Sequence, residues 1–212
     1  PARGNNAPLE SLKMLKEMAE EIGAVLIFDE ITSGFRECVG GIHRKYEVYP
    51  DMAIFAKSMA NGYAMSAILG TEEVMQAAQS TFISSTNWTE KVGPTAALAT
   101  IKKYKETKTN EHINNIGAQV QKIWKETASK NNIAIEVSGL PSLASFSFAG
   151  ENSLKLHTRF VTDMLDHNIL GFRQFKPCLA HSQDDVVKYA DAVDKVFKNL
   201  TTLSDDEILK SE

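Results

Sequence analysis

The chain has 212 residues, 43% of them hydrophobic, enough for one large domain or one and a half ordinary ones. A formal net charge of −4 at pH 7, with no basic stripe interleaved with aromatic residues, argues against a nucleic-acid partner. The longest apolar run, Ala24–Phe28, is far too short to span a bilayer, so no membrane partner is expected. Cys38 and Cys178 have no metal-binding spacing and read as free thiols of a reducing cytoplasm. The opening Pro1-Ala2-Arg3 lacks both an initiator Met and a loose polar tail, and reads as a cut inside a longer polypeptide.

Leu9, Leu12, Leu15, Met18 and Ile22 recur at helical spacing, and Gly23 stands where a C-terminal glycine stops a helix. Ala24–Phe28 then runs without polar alternation into Asp29-Glu30, which predicts a strand buried on both faces, as in a parallel sheet. A second short strand, Met52–Ala56, opens at Pro50-Asp51 and ends at Lys57, and Ser66–Leu69 predicts a third after the Asn61-Gly62 turn. A helix starts near Thr71 and runs to Gln79, Phe82–Ser85 is extended, and Lys91–Lys105 is helical if Pro94 lies in its first turn. Ile113, Ile116, Val120, Ile123 and Trp124 make one face of a long helix that suits a bridge between domains. Beyond it, Ile133–Val137 and Leu143–Phe148 alternate like half-exposed strands around Gly139-Leu140-Pro141, and two amphipathic helices close the chain. The pattern predicts an α/β fold whose last part is a small α+β domain.

Asp29 and Lys57 each follow an apolar run, and ligands of open α/β sheets bind beyond the carboxyl ends of the strands. Taken singly, each residue is as readily a helix cap or a solvated lysine. Their context narrows the choice. Leu26-Ile27-Phe28-Asp29-Glu30-Ile31-Thr32-Ser33-Gly34-Phe35-Arg36 resembles the class III aminotransferase signature of a strand ending in Asp-Glu before a Gly-Phe-Arg turn. Pro50–Lys57 resembles the lysine strand of the same family, 28 positions separate Asp29 from Lys57, and Asn61-Gly62-Tyr63 and Ser66–Gly70 also fit. Pro1-Ala2-Arg3 looks like the end of a family strand, and Leu179–Val186 looks like an element of glutamate-1-semialdehyde 2,1-aminomutase relatives.

The resemblance implies the pyridoxal 5′-phosphate (PLP)-dependent transferase fold type I. Residues 1–110 would be the C-terminal part of the large, mainly parallel-sheet domain, 111–130 the bridging helix and 131–212 the small domain. It also implies PLP as cofactor, amino acid and carbonyl substrates, and a homodimer in which the full-length site is shared. Lys57 would form the Schiff base and shuttle a proton, and Asp29 would keep the pyridine nitrogen protonated. Ile31 would pack on the ring, and Thr86 would reach the phosphate of the neighbouring subunit. Thr86-Asn87-Trp88-Thr89-Glu90 departs from the family's Gly-rich pattern here, so Ser85 and Thr89 stay open as the phosphate ligand.

Arg36, His43 and His181 read as ion-pair, surface or supporting groups, Trp88 and Trp124 as packing residues, and Tyr63 as a wall of the site. The family's Ser/Gly/Thr-rich phosphate loop and ring-stacking aromatic residue have no counterpart in this sequence. The expectation is an aminotransferase present as a partial chain. The alternatives are an aminomutase, which moves an amine within one molecule, and a non-catalytic assembly module. Alone, the chain is expected to self-associate or to bind an N-terminal fragment that restores turnover.

Overall fold

The computed structural model describes residues 9–84 and 86–203, so Pro1-Ala2-Arg3 and the candidate Ser85 lie outside the described residues. It divides into two units, one running to Glu111 and the other from His112 onward.

The first unit opens with helix α1 (Leu9–Glu21) and strand β1 (Ile27–Asp29), followed by a long turn and the short helix α2 (His43–Tyr46). Strand β2 (Met52–Phe55) pairs parallel with β1, and strand β3 (Ala67–Gly70) pairs antiparallel with β2, giving the order β1-β2-β3. Helix α3 (Glu72–Gln76) continues as a 3-10 turn to Ser80, and helix α4 (Val92–Glu106) carries Pro94 in its first turn, where no N–H is needed. The core of the unit joins Ala53 and Phe55 of β2 to Met59, Ala60 and Ala97, with Phe35 and Ile101 packed at its margin.

One expectation fails here. The apolar run from Ala24 forms a regular strand only over Ile27–Asp29, and Val25 and Ile27 stay about half exposed at 52% and 50%. An uninterrupted apolar run fits burial on both faces, but here Phe28 is half-buried while the described residues leave Val25 and Ile27 in contact with solvent.

In the second unit, helix α5 (Thr109–Lys130) buries the face made by Ile113, Ile116, Val120 and Trp124. Strands β4 (Ile135–Ser138) and β5 (Ala144–Phe148) pair antiparallel across a 3-10 turn at Pro141–Leu143. Gly117 lets α5 approach that turn, because a Cβ there would lie 1.8 Å from the Pro141 carbonyl oxygen. Helix α6 (Ser153–Asp166), the short strand β6 (Gln174–Phe175) and helix α7 (Gln183–Leu200) complete the unit. β5 alternates buried and half-buried residues, and its inward Phe146 and Phe148 meet Phe160 and Phe197 edge-on or tilted, with ring centroids 5.2–6.3 Å apart. The Trp124 indole N–H donates to the buried Tyr189 hydroxyl at 2.8 Å, so neither aromatic leaves a polar group stranded.

The same residues that resembled a family element before the last helix have a local cause. Ser182 caps α7, accepting the Asp185 N–H, while the Asp185 carboxylate accepts the Ser182 N–H at 2.9 Å. Those bonds hold the exposed Asp185 carboxyl below the usual carboxylate range. Among the described residues, no helix is long and apolar enough to cross a membrane.

His157 stands apart in this core. It is 9% exposed, neither ring nitrogen has a hydrogen-bond partner, and its ring lies 4.8 Å from Phe148 and 5.2 Å from Phe146. Burial, assisted by the charge of Arg173, pushes its pKa below the ordinary histidine value. The unfolded chain therefore takes up this proton first. The stability this histidine contributes is full above about pH 6.5 and is lost as pH falls through the lower folded value. Denaturation midpoints of the wild type should drop over that window, and His157→Phe should flatten the decline; a parallel decline in both proteins contradicts it.

Candidate active site

The site begins with Asp51, at the foot of β2. Its carboxylate accepts the Leu26 N–H at 2.8 Å, while the N–H groups of Asp51 and Met52 donate to the Leu26 carbonyl at 2.9 and 3.1 Å. This clamp starts a parallel register that pairs Ile27 with Met52 and Asp29 with Ile54, and the Glu30 N–H extends it by donating to the Ile54 carbonyl at 2.9 Å. Both chains then leave the sheet at their carboxyl ends. Three residues beyond the last register pair stand Thr32 and Lys57, and the Lys57 ammonium donates to Thr32 Oγ1 at 2.6 Å.

Lys57 opens a 3-10 turn, Lys57–Met59, with φ 47°, a left-handed conformation uncommon outside glycine. The neighbours hold it there. The Ala60 and Asn61 N–H groups both donate to the Lys57 carbonyl, and the next two apolar side chains, Met59 and Ala60, are 6% and 0% exposed. The side chain of Lys57 remains exposed. Asp29, also exposed, accepts the Ile31 N–H through Oδ1 at 3.0 Å, which leaves its carboxylate further acceptor capacity. Ile31 itself is half-buried.

Glu30 fastens the turn from within. It is 1% exposed, and its carboxylate accepts the Ser33 hydroxyl, the His43 N–H at 3.1 Å and the His43 ring Nδ1 contact at 3.0 Å. Gly41 makes room for this fold-back, since a Cβ there would sit 2.7 Å from Glu30 Oε1. His43 is thus a partner of a buried carboxylate. Further along the turn, Glu37 pairs with Lys45 at 2.8 Å, and the Tyr104 hydroxyl donates to the carbonyls of Arg36 and Cys38. Burial pushes the Tyr104 phenol and the Cys38 thiol above their ordinary ranges, as befits structural groups.

Thr86 and Thr89 lie exposed in the turn 86–89. The helix start beyond them is already closed: Glu90 accepts the N–H groups of Val92 and Gly93, which lower its pKa. The donors that a helix start offers an anion are therefore engaged by the chain itself, and the hydroxyls are what remains there for a phosphate. A cleft of about 450 Å³ runs along α4, lined by Ala60, Asn61, Tyr63, Val92, Thr95 and Ala96. Trp88 is 66% exposed, unlike the packing residue expected of it, whereas Trp124 is fully buried. His181 belongs to the second unit, where Nδ1 accepts the Cys178 N–H at 3.0 Å and the carbonyl bonds His112 Nε2 at 2.9 Å.

Residues 4–196 match the family model described as aminotransferase class-III, and the chain belongs to that family. It is 31% identical over 192 residues to 3-aminobutyryl-CoA aminotransferase of Cloacimonas acidaminovorans, covering 86% of this chain and 45% of that one. Glutamate-1-semialdehyde 2,1-aminomutase of Caldicellulosiruptor bescii is 27% identical, with 92% and 51% covered. Among solved structures, the PLP internal aldimine form of the FumI protein of Sphingopyxis sp. MTA144 superposes with a TM-score of 0.87. Its identity is 24%, and the match covers 92% of this chain and 48% of that one. The fold is accordingly that of fold type I PLP-dependent transferases. The chain spans about half the length of the curated relatives it matches.

Sequence reasoning singled out Lys57 and Asp29 but passed over Asp51, Thr32 and Glu30. Pro50-Asp51 was visible as the opening of a strand; its clamp on Leu26 was not. Replacing Glu30 by Ala removes the buried acceptor of the half-buried Ser33 and His43 donors, and chemical denaturation should find the chain destabilised by about 2–3 kcal/mol. A loss below about 0.5 kcal/mol, the size of an ordinary surface change, means that the turn is held by other contacts.

Proposed function

We propose that this chain is the lysine-bearing share of a PLP-dependent aminotransferase that moves an amino group between an amino acid and a carbonyl substrate. The observation that carries the reading is the parallel pairing of β1 and β2, which delivers Asp29 and Lys57 from the same end of neighbouring strands. The residues suit the cofactor's chemistry at two of its ends: an exposed primary amine for an aldehyde, and a carboxylate with acceptor capacity for a ring nitrogen. When bound, PLP supplies that aldehyde and a ring that draws electrons from the reacting substrate carbon.

Lys57 holds the cofactor through Nζ in this reading, and the same amine, once released, takes and returns the proton at the substrate carbon. The Asp29 carboxylate keeps a proton on the ring nitrogen, and Ile31 packs against the ring. Thr86 offers its hydroxyl to the phosphate, in a homodimer to that of the neighbouring subunit. Residues 1–110 would form the PLP-binding part, 131–212 a small domain, with the helix 111–130 linking them in a cytoplasmic enzyme of small molecules. Similarity to aminomutases supports a second reading, intramolecular amine transfer, that uses the same Lys57 and Asp29.

Borohydride reduction of the chain with PLP, followed by peptide mapping, should find the pyridoxyl group chiefly on Lys57; an adduct spread evenly over the lysines counts against the reading. The chain alone should give no measurable transamination, since orientation supplies a large share of the rate. Mixed with a fragment equivalent to the other half of its relatives, it should turn over repeatedly. One product carrying the amine on an adjacent carbon, rather than two exchanged products, would select the aminomutase reading.

A further inference from the structure

Thr32 lies outside the roles assigned so far, yet its hydroxyl accepts a hydrogen bond from the Lys57 amine at 2.6 Å. The contact is a consequence of register. Asp29 faces Ile54, and equal steps along both chains bring Thr32 opposite Lys57 just past the ends of the strands.

The Thr32 hydroxyl is a fixed point. On one side the Ile31 N–H is tied to Asp29 Oδ1; on the other the Ser33 hydroxyl donates to the buried Glu30 carboxylate, and the Gly34 N–H donates to the Glu30 carbonyl at 2.7 Å. Thr32 is half-buried, and β-branching restricts its χ1, so the oxygen has little freedom. Opposite it, the left-handed Lys57 backbone is held by the turn that buries Met59 and Ala60. Two constrained backbones thus set the ends of one hydrogen bond, and the long lysine side chain between them loses its wandering.

The chemistry of the partner matters as much as its place. A carboxylate accepts only, and would favour the charged ammonium over the free amine. A hydroxyl accepts from an ammonium and can also donate to the lone pair of a neutral amine. It can therefore hold Nζ in either protonation state and let it go without separating an ion pair.

We propose that Thr32 is the positioning residue of the Lys57 amine, its hydroxyl holding Nζ over the carboxyl ends of β1 and β2 ready to meet an aldehyde. This rests on the reading of Lys57 as the cofactor lysine. Two measurements on the full 212-residue chain test it. The first is water exchange of the lysine ammonium protons by nitrogen-15 NMR, with Lys57→Met to assign the signal. Lys57 should exchange about tenfold more slowly than the exposed Lys125 and Lys195, lose that protection in Thr32→Val and keep it in Thr32→Ser.

The second is the share of borohydride-trapped pyridoxyl found on Lys57 relative to the other lysines of the same sample. Thr32→Val should lower that share about fivefold, and Thr32→Ser should restore it. Thr32→Ala repeats the loss should the valine variant fail to fold, as judged by circular dichroism. Wild-type Lys57 exchanging as fast as Lys125, or a share unchanged in both Thr32→Val and Thr32→Ala, overturns the inference alone. A wild-type adduct on another lysine overturns the cofactor-lysine reading and this inference with it.

Discussion

The register of two short parallel strands governs everything that the first unit offers chemically. Three residues of β2 pair with the three of β1, a small ladder, and the Asp51 carboxylate on the Leu26 N–H fixes where it starts. A slip of one residue would turn every side chain of β1 to the opposite face and carry Asp29 away from the side where it now emerges. With the register held, Asp29 and Lys57 leave neighbouring strands in the same direction, and Thr32 meets the lysine amine. The ligand-binding crevice of open α/β sheets arises from this same geometry.

The turn after β1 shows how a buried charge is made tolerable. Glu30 is almost wholly out of water, and such a carboxylate is costly unless its oxygens find donors. Ser33 and His43 supply them, and in doing so they tie the turn of residues 31–43 back to Glu30. Asp29 and Lys57 stay exposed while Glu30 is buried, so rigidity is provided one position away from the Asp29 carboxylate.

Much of this was legible in the sequence, and what was not has identifiable causes. The strand ends just ahead of Glu30 and Lys57, the first-turn proline of α4 and the apolar face of α5 all follow from local pattern. The Thr32–Lys57 bond is set by register across 25 positions and has no local signature. Glu30 drew no reading of its own because its partners arrive from Ser33 and from a fold-back at Gly41 and His43. Val25 and Ile27 were misjudged for a different reason: apolar composition reports what a residue suits, and exposure depends on which layers are there to cover it. Trp88 failed in the same way. The His-Ser-x-x-Asp sequence at 181–185 carried a family likeness, and its capping box gives that likeness a structural reason.

The central claim is that Lys57 and Asp29 address opposite ends of one aromatic cofactor. A crystal structure of the chain after PLP binding and borohydride reduction tests it most directly. The account predicts a pyridoxyl group on Lys57 with its ring nitrogen about 2.7–2.9 Å from an Asp29 carboxylate oxygen, the length of a charge-assisted hydrogen bond. A pyridoxyl group turned into solvent, with Asp29 still bonded only to the Ile31 N–H, would contradict it.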